Sequence, residues 1–202
     1  MEPDIDGNAP FGKGRNEFFA SIGSLVVAWA ETESAIDALI DVAYDHYNGL
    51  TIEPERPRTA LSRKLRFCRK FIRAISATDE IANSYIVQFD QLGKDADYRH
   101  DVIHSAYIEI LEEMGEASIT RLVNRGSQNP ERKIVKINSQ AIVKNAIMTQ
   151  RRGILVYRLA NDLLEAAIER GPLVGAQTPT PVRRFLPIRI AYGRLRALFA
   201  HR

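Results

Sequence analysis

Cysteine is almost missing from this chain. The single thiol, Cys68, excludes an internal disulfide and fits a reducing compartment. It falls on the apolar stripe of a helical pattern, which predicts a buried core thiol rather than a nucleophile. Lysine is scarce as well, 7 residues against 21 arginines. Arginine suits two-pronged contact with phosphate better than lysine does, so the bias points toward an anionic partner. Long apolar runs are absent. The longest, Phe18 to Ala30, is too short for a bilayer span of about 20 residues and runs into Glu31 and Glu33. Met1 to Lys13 carries acids and has no apolar segment, so it does not read as a signal peptide. The expectation is a soluble cytoplasmic protein with no membrane partner. There is no internal repeat.

Acids are missing from two stretches, Pro57 to Ala77 and Gly171 to Arg202. The formal charge of +3 is therefore unevenly placed, and a pI near 9.1 favours nucleic acid as the partner. With 202 residues and 45% apolar content, the chain has enough material for one cored domain with additions. We divide it into a lead-in over 1–15, a helical domain over 16–170 with a β insertion at about 106–138, and a basic Pro/Arg-rich tail over 171–202. Within the lead-in, Gly7 to Gly14 imitates a phosphate-binding loop. It places Gly14 where a magnesium-binding Ser or Thr belongs, and no strand precedes it. The tail has six arginines interleaved with Tyr192 and Phe199, which suits either a solvated segment or a nucleic-acid-contacting arm.

Periodicity predicts the helices. The first runs from about Asn16 to Tyr47, with Phe18, Ile22, Leu25, Val26, Trp29, Ile36, Ile40 and Ala43 on one stripe. Glu33 projects into that stripe, where a carboxylate needs an open edge or a buried arginine. After a Pro-rich loop over Thr51 to Pro57, a second helix is expected from Arg58 to about Ser76. Its stripe is Leu61, Leu65, Cys68, Ile72 and Ile75. The opposite face carries Arg58, Arg63, Arg66, Arg69, Lys70 and Arg73. A face of one sign repels itself, so something anionic should offset it, and RNA is the candidate. The third helix starts at the N-cap Thr78 and carries Ile81, Tyr85, Phe89, Leu92 and Ala96 inward, with Arg99 and Ile103 on the same projection. Tyr107 to Leu111 and Ser118 to Val123 read as a hairpin around Gly115, and Lys133 to Ile137 as a further strand. A last helix, capped by Ser139 and ended by Gly171-Pro172, has Ile142, Ile147, Ile154, Leu155, Leu159, Leu163 and Ala167 inward.

The densest polar chemistry lies in Tyr98-Arg99-His100-Asp101-Val102-Ile103-His104-Ser105. Arg99 to His104 is an R-x4-H motif with polar residues after the arginine. The same bare spacing recurs at Arg196 to His201, where Ala197 follows the arginine. Together with Ile22, Gly23, Leu25, Trp29 and Glu33 of the first helix, the Arg99 motif resembles the HEPN superfamily, over about residues 16–170. The resemblance implies a mainly α fold, an antiparallel four- to five-helix bundle with a small β-hairpin insertion after the motif helix. It also implies a homodimer whose two motifs meet in one cleft, and metal-independent endoribonuclease activity with no cofactor, in a toxin or defence setting.

The residues suit that chemistry. RNA cleavage without a metal uses the neighbouring 2′-hydroxyl as nucleophile. It needs a proton carrier, for which His104 qualifies, and a fixed cation at the phosphate, for which Arg99 qualifies. His100 could orient Arg99 or RNA, Asp101 could orient a histidine, and Glu33 could hold the Arg99 fork. Three other readings stand beside it. The cluster can be an ordinary polar patch. The domain can be a non-cleaving RNA-binding or toxin–antitoxin module with a regulatory protein partner. Finally, Asp97-x-x-His100 and Asp101-x-x-His104 could ligate a metal, although bundle metal sites usually draw ligands from several helices.

Overall fold

The computed structural model describes residues 13–111, 115–123 and 131–170. The 1–12 portion of the lead-in, most of the Gly7–Gly14 loop, the Glu112 to Met114 part of the hairpin turn and the basic tail over 171–202 lie outside the described residues. The protein is mainly helical. In order it has α1 (Lys13–His46), a 3-10 turn (Gly49–Thr51), α2 (Leu61–Ile75), α3 (Asp79–His104), β1 (Ala106–Leu111), β2 (Glu116–Val123), β3 (Glu131–Asn138) and α4 (Ser139–Arg170). The chain falls into two compact units. Of the described residues, one comprises those within 13–27 and 96–147, the other those within 28–95 and 148–170.

The second unit holds four helical segments, and its contacts set their directions. Asp37 of α1 meets Lys64 of α2, Tyr44 stacks on Phe67 with ring centres 5.1 Å apart, and Tyr47 packs edge-on against Phe71. Thr32 of α1 and Tyr47, just past its end, donate hydrogen bonds to the Thr149 and Leu163 carbonyls of α4 at 3.2 and 2.7 Å. The paired positions rise together in both cases, so α1, α2 and α4 run parallel. By contrast, Arg69 of α2 meets Asp90 of α3, and Arg152 of α4 meets Asp95, while Gly93 of α3 lies beside Leu65. Only α3 runs against the others. An antiparallel bundle is therefore not what forms. The connection from Asn48 to Ala60 makes the difference, because it climbs back along α1 before α2 begins. The Tyr44 hydroxyl donates to the Glu53 carbonyl, and Arg56 pairs with Asp41 and Asp45 and covers the Tyr44 ring. The core is Ile36, Leu39, Ile40, Phe67, Phe71, Ile72, Phe89 and Leu92, all fully buried.

Burying side chains of this kind is worth about 1.5–3 kcal/mol each. That driving force selects the helix faces, with departures on two helices; on α1, Val26, expected on the inward stripe, is 42% exposed. On α4 the expected Ile147 and Ile154 are 45% and 43% exposed, whereas Thr149 and Arg152 are buried. The inward line runs through Ala146, Thr149, Gly153, Val156 and Leu163. Gly153 is needed there: an added Cβ would lie 2.5 Å from Thr32 Oγ1 and 3.1 Å from Thr32 Cα.

The first unit carries the sheet. Its order is β1-β2-β3, antiparallel throughout, with the pairing irregular between Tyr107 and Glu109. The insertion is thus three strands, the hairpin plus the further strand. Gly115, at φ +60, turns into β2, and its carbonyl accepts the Ser139 N–H at 2.8 Å. The helix cap falls one residue earlier than expected. Asn138, not Ser139, receives the Ala141 N–H on its side-chain oxygen at 2.7 Å. Thr78 caps α3 as its sequence position implies, accepting from the Ile81 N–H.

Candidate functional site

The C-terminal turns of α3, within the first unit, present the motif. Arg99 is half-buried, His100 and His104 are exposed, and Asp101 is buried at 6% exposure. Four residues of helix bring the two histidines onto one side, one turn apart. Their ring centres lie 4.7 Å apart at a 47° tilt. The structure therefore brings His100 and His104 together. Arg99 sits on the neighbouring flank, and its Nε is buried with no hydrogen-bond partner. A buried guanidinium nitrogen left unbonded is costly, which marks Arg99 as a cation whose demand the described residues do not meet.

Glu33 belongs to the four-helix unit. It is half-buried, and neither Glu33 nor Arg99 enters an ion pair among the described residues. A half-buried carboxylate keeps contact with water and needs no buried arginine.

The cationic face of α2 has its own counterions. Arg63 pairs with Glu55 at 3.1 Å, Arg66 with Glu53 at 3.1 Å, Lys70 with Glu53 at 3.9 Å and Arg69 with Asp90 at 2.9 Å. On the inward side, Lys64 Nζ lies 2.6–2.8 Å from both Asp37 carboxylate oxygens. The anion needed by a one-signed helix is thus partly supplied by the preceding connection and by α3. Helix α2 begins at Leu61 rather than at Arg58 as expected, so Arg58 lies in the connection before it; neither Arg58 nor Arg73 enters an ion pair among the described residues.

Sequence reasoning missed the most buried ion pair of the four-helix unit. Arg152 Nη1 donates to Asp95 Oδ2 at 2.6 Å, with side chains only 9% and 4% exposed. Gln91 Nε2 donates to Asp95 Oδ1 at 3.1 Å, and the Thr149 hydroxyl donates to Asp95 Oδ2 at 3.5 Å. The available signal was phase: Asp95 follows Leu92 by three residues, and Arg152 interrupts an apolar line on α4. In the same unit an open groove of about 380 Å³ between α1 and α4 is lined by Glu31, Ser34, Ala35, Gln150, Gly153, Ile154 and Tyr157. Its only charge is Glu31, which accepts a hydrogen bond from Gln150.

Cys68 is fully buried, and burial pushes its thiol up to about 12. A thiol so far from its thiolate is a poor nucleophile at neutral pH. Among the described residues, no three His, Cys, Asp or Glu side chains gather closely enough to hold a metal ion, and no helix is long and apolar enough to cross a membrane. No protein-family model, curated protein or solved structure matches the chain.

Proposed function

We propose that the protein is a metal-independent endoribonuclease of HEPN type that acts as a homodimer. The observation that carries this reading is the conjunction on one helix end of two exposed, adjacent imidazoles with an arginine whose Nε finds no hydrogen-bond partner among the described residues. Arg99 holds the scissile phosphate and stabilises the charge that grows on it. His104 takes the 2′-hydroxyl proton, and the oxygen then attacks phosphorus and expels the 5′-oxygen, which must receive a proton in turn. His100 orients the phosphate beside it. In-line displacement needs the proton acceptor and donor on opposite sides of phosphorus. Two rings from adjacent turns occupy one side, so the second proton carrier comes from a second copy of the chain. RNA approaches along Arg58 and Arg73, with Arg63, Arg66, Arg69 and Lys70 available where phosphate displaces their carboxylates. The role fits a toxin or defence effector.

A second reading, a non-cleaving RNA-binding or toxin–antitoxin interaction module, is favoured by β3. It lies at a sheet edge in the observed order and exposes Ile134 at 69%. Such an edge can accept a strand from a protein partner. RNase assays in the presence of a chelator separate the two. Arg99→Ala and His104→Ala should each cut the rate by about 10²–10³-fold while the fold is kept. Equal cleavage, or equal inertness, of wild type and the double variant on several RNAs would sink the catalytic reading.

A further inference from the structure

We propose that His100 and His104 form a two-imidazole chelate for a borderline divalent transition metal, Zn²⁺ above all, and that occupancy of this chelate switches off the proposed RNA cleavage. The inhibitory half rests on the endoribonuclease reading; the metal site does not. The geometry is the first argument. Two imidazoles sharing a tetrahedral zinc through bonds of about 2.0–2.1 Å place their ring centres roughly 5 Å apart. In this structure the centres are already 4.7 Å apart, and the rings are tilted rather than face to face. Histidines at i and i+4 on a helix are a spacing that zinc sites use. Both rings are exposed, so a hydrated ion reaches them without rearranging the core.

The electrostatic setting is the second argument. His104 is the last residue of α3, where the negative end of the helix dipole favours a cation. Asp97 and Asp101 each precede a histidine by three residues and add negative charge to the same helix end. Among the described residues no third His, Cys, Asp or Glu side chain gathers with these two, so water completes the coordination and the metal stays exchangeable. Such a site is a reversible brake rather than a cofactor site. A nitrogen bonded to zinc cannot accept the 2′-hydroxyl proton, so metal and catalysis compete for His104.

The experiment titrates ZnCl₂ into the full chain, free of any polyhistidine tag, by calorimetry in a non-coordinating buffer, with RNA cleavage followed in parallel. His100→Gln and His104→Gln should each weaken binding on the order of 100-fold, because the second ligand otherwise binds intramolecularly. His46→Gln should leave binding unchanged. Circular dichroism confirms that the variants fold, and Cu²⁺ electron paramagnetic resonance on the wild type, reporting two nitrogen ligands, needs no variant at all. Binding that survives the His100→Gln, His104→Gln double change, or no binding by the wild type, overturns the site. If zinc binds through these histidines and no RNA is cut under any condition, the site stands and the ribonuclease reading falls. Cleavage undiminished at saturating zinc overturns the brake.

Discussion

Asp95→Ala should be among the most damaging single changes in the four-helix unit. Asp95 is 4% exposed, and its carboxylate is the ion-pair partner of Arg152, itself 8% exposed. Removing the acid strands a buried guanidinium whose Nε already has no partner, and it also frees Gln91. Breaking a buried pair in this way costs about 3–5 kcal/mol. Set against a total stability of about 5–15 kcal/mol, that is a large share. For a chain of this size, each kcal/mol moves the melting temperature by about 2–4 °C, so a fall of roughly 6–20 °C is expected. The double change Asp95→Leu, Arg152→Met removes both charges and fills similar volume, and should return to wild-type stability or exceed it. Urea unfolding at constant slope measures all four corners of the cycle. The reasoning is refuted if Asp95→Ala costs less than about 1 kcal/mol, or if the double variant merely adds the two single losses.

Gly153→Ala would ordinarily strengthen a helix by about 1 kcal/mol, yet here the new methyl meets Thr32, and a net loss of about 1–3 kcal/mol is expected in the same unfolding assay. Cys68 has a native pKa raised from 9.0 to about 12, so its stabilising contribution is complete below pH 9 and is lost as pH rises from 9 to 12. At about 1.4 kcal/mol per unit, up to roughly 4 kcal/mol is at stake, and Cys68→Ala should flatten that part of the stability–pH curve. Thiol-reactive dye should label native Cys68 only at the rate of unfolding. Arg58→Gln, just before α2, and Arg73→Gln on α2 should reduce the salt dependence of RNA binding more than Arg63→Gln and Arg66→Gln, which lose partners already satisfied within the chain; equal effects would show that the carboxylates do not compete with phosphate.

The helices were legible because apolar residues recur at their period. Leu25, Trp29, Ile36 and Ile40 on α1, and Leu65, Cys68, Ile72 and Ile75 on α2, are all buried. What failed was local inference about partners. The charge on α2 looked uncompensated because Glu53, Glu55 and Asp90 lie outside the helix and meet it only in three dimensions. Ile147 and Ile154 were assigned inward because hydropathy ranks them above Thr149 and Arg152. A buried threonine and arginine are tolerable only once Thr32 and Asp95 are known to face them. Helix direction was hidden in a connection whose return path depends on Tyr44 and Arg56. At the candidate site, the turn-spaced approach of His100 and His104 follows from helix geometry alone, while the unpartnered Arg99 Nε became visible only with coordinates.

The parallel pairing of α1 with α4 also orders the making of the protein. Thr32 and Tyr47 wait for partners 117 and 116 residues further along, whereas the connection from Asn48 to Ala60 reaches α1 over separations of only 9–15 residues. Closing the longer loop costs about 2 kcal/mol more in chain entropy than closing one of about ten residues. On a ribosome adding about 5–20 residues per second, α4 follows its partner by roughly 6–23 s. Helices α1 to α3 therefore assemble first, and the side of α1 marked by Thr32, together with Tyr47 just past its end, is uncovered during synthesis until the last helix arrives to close it.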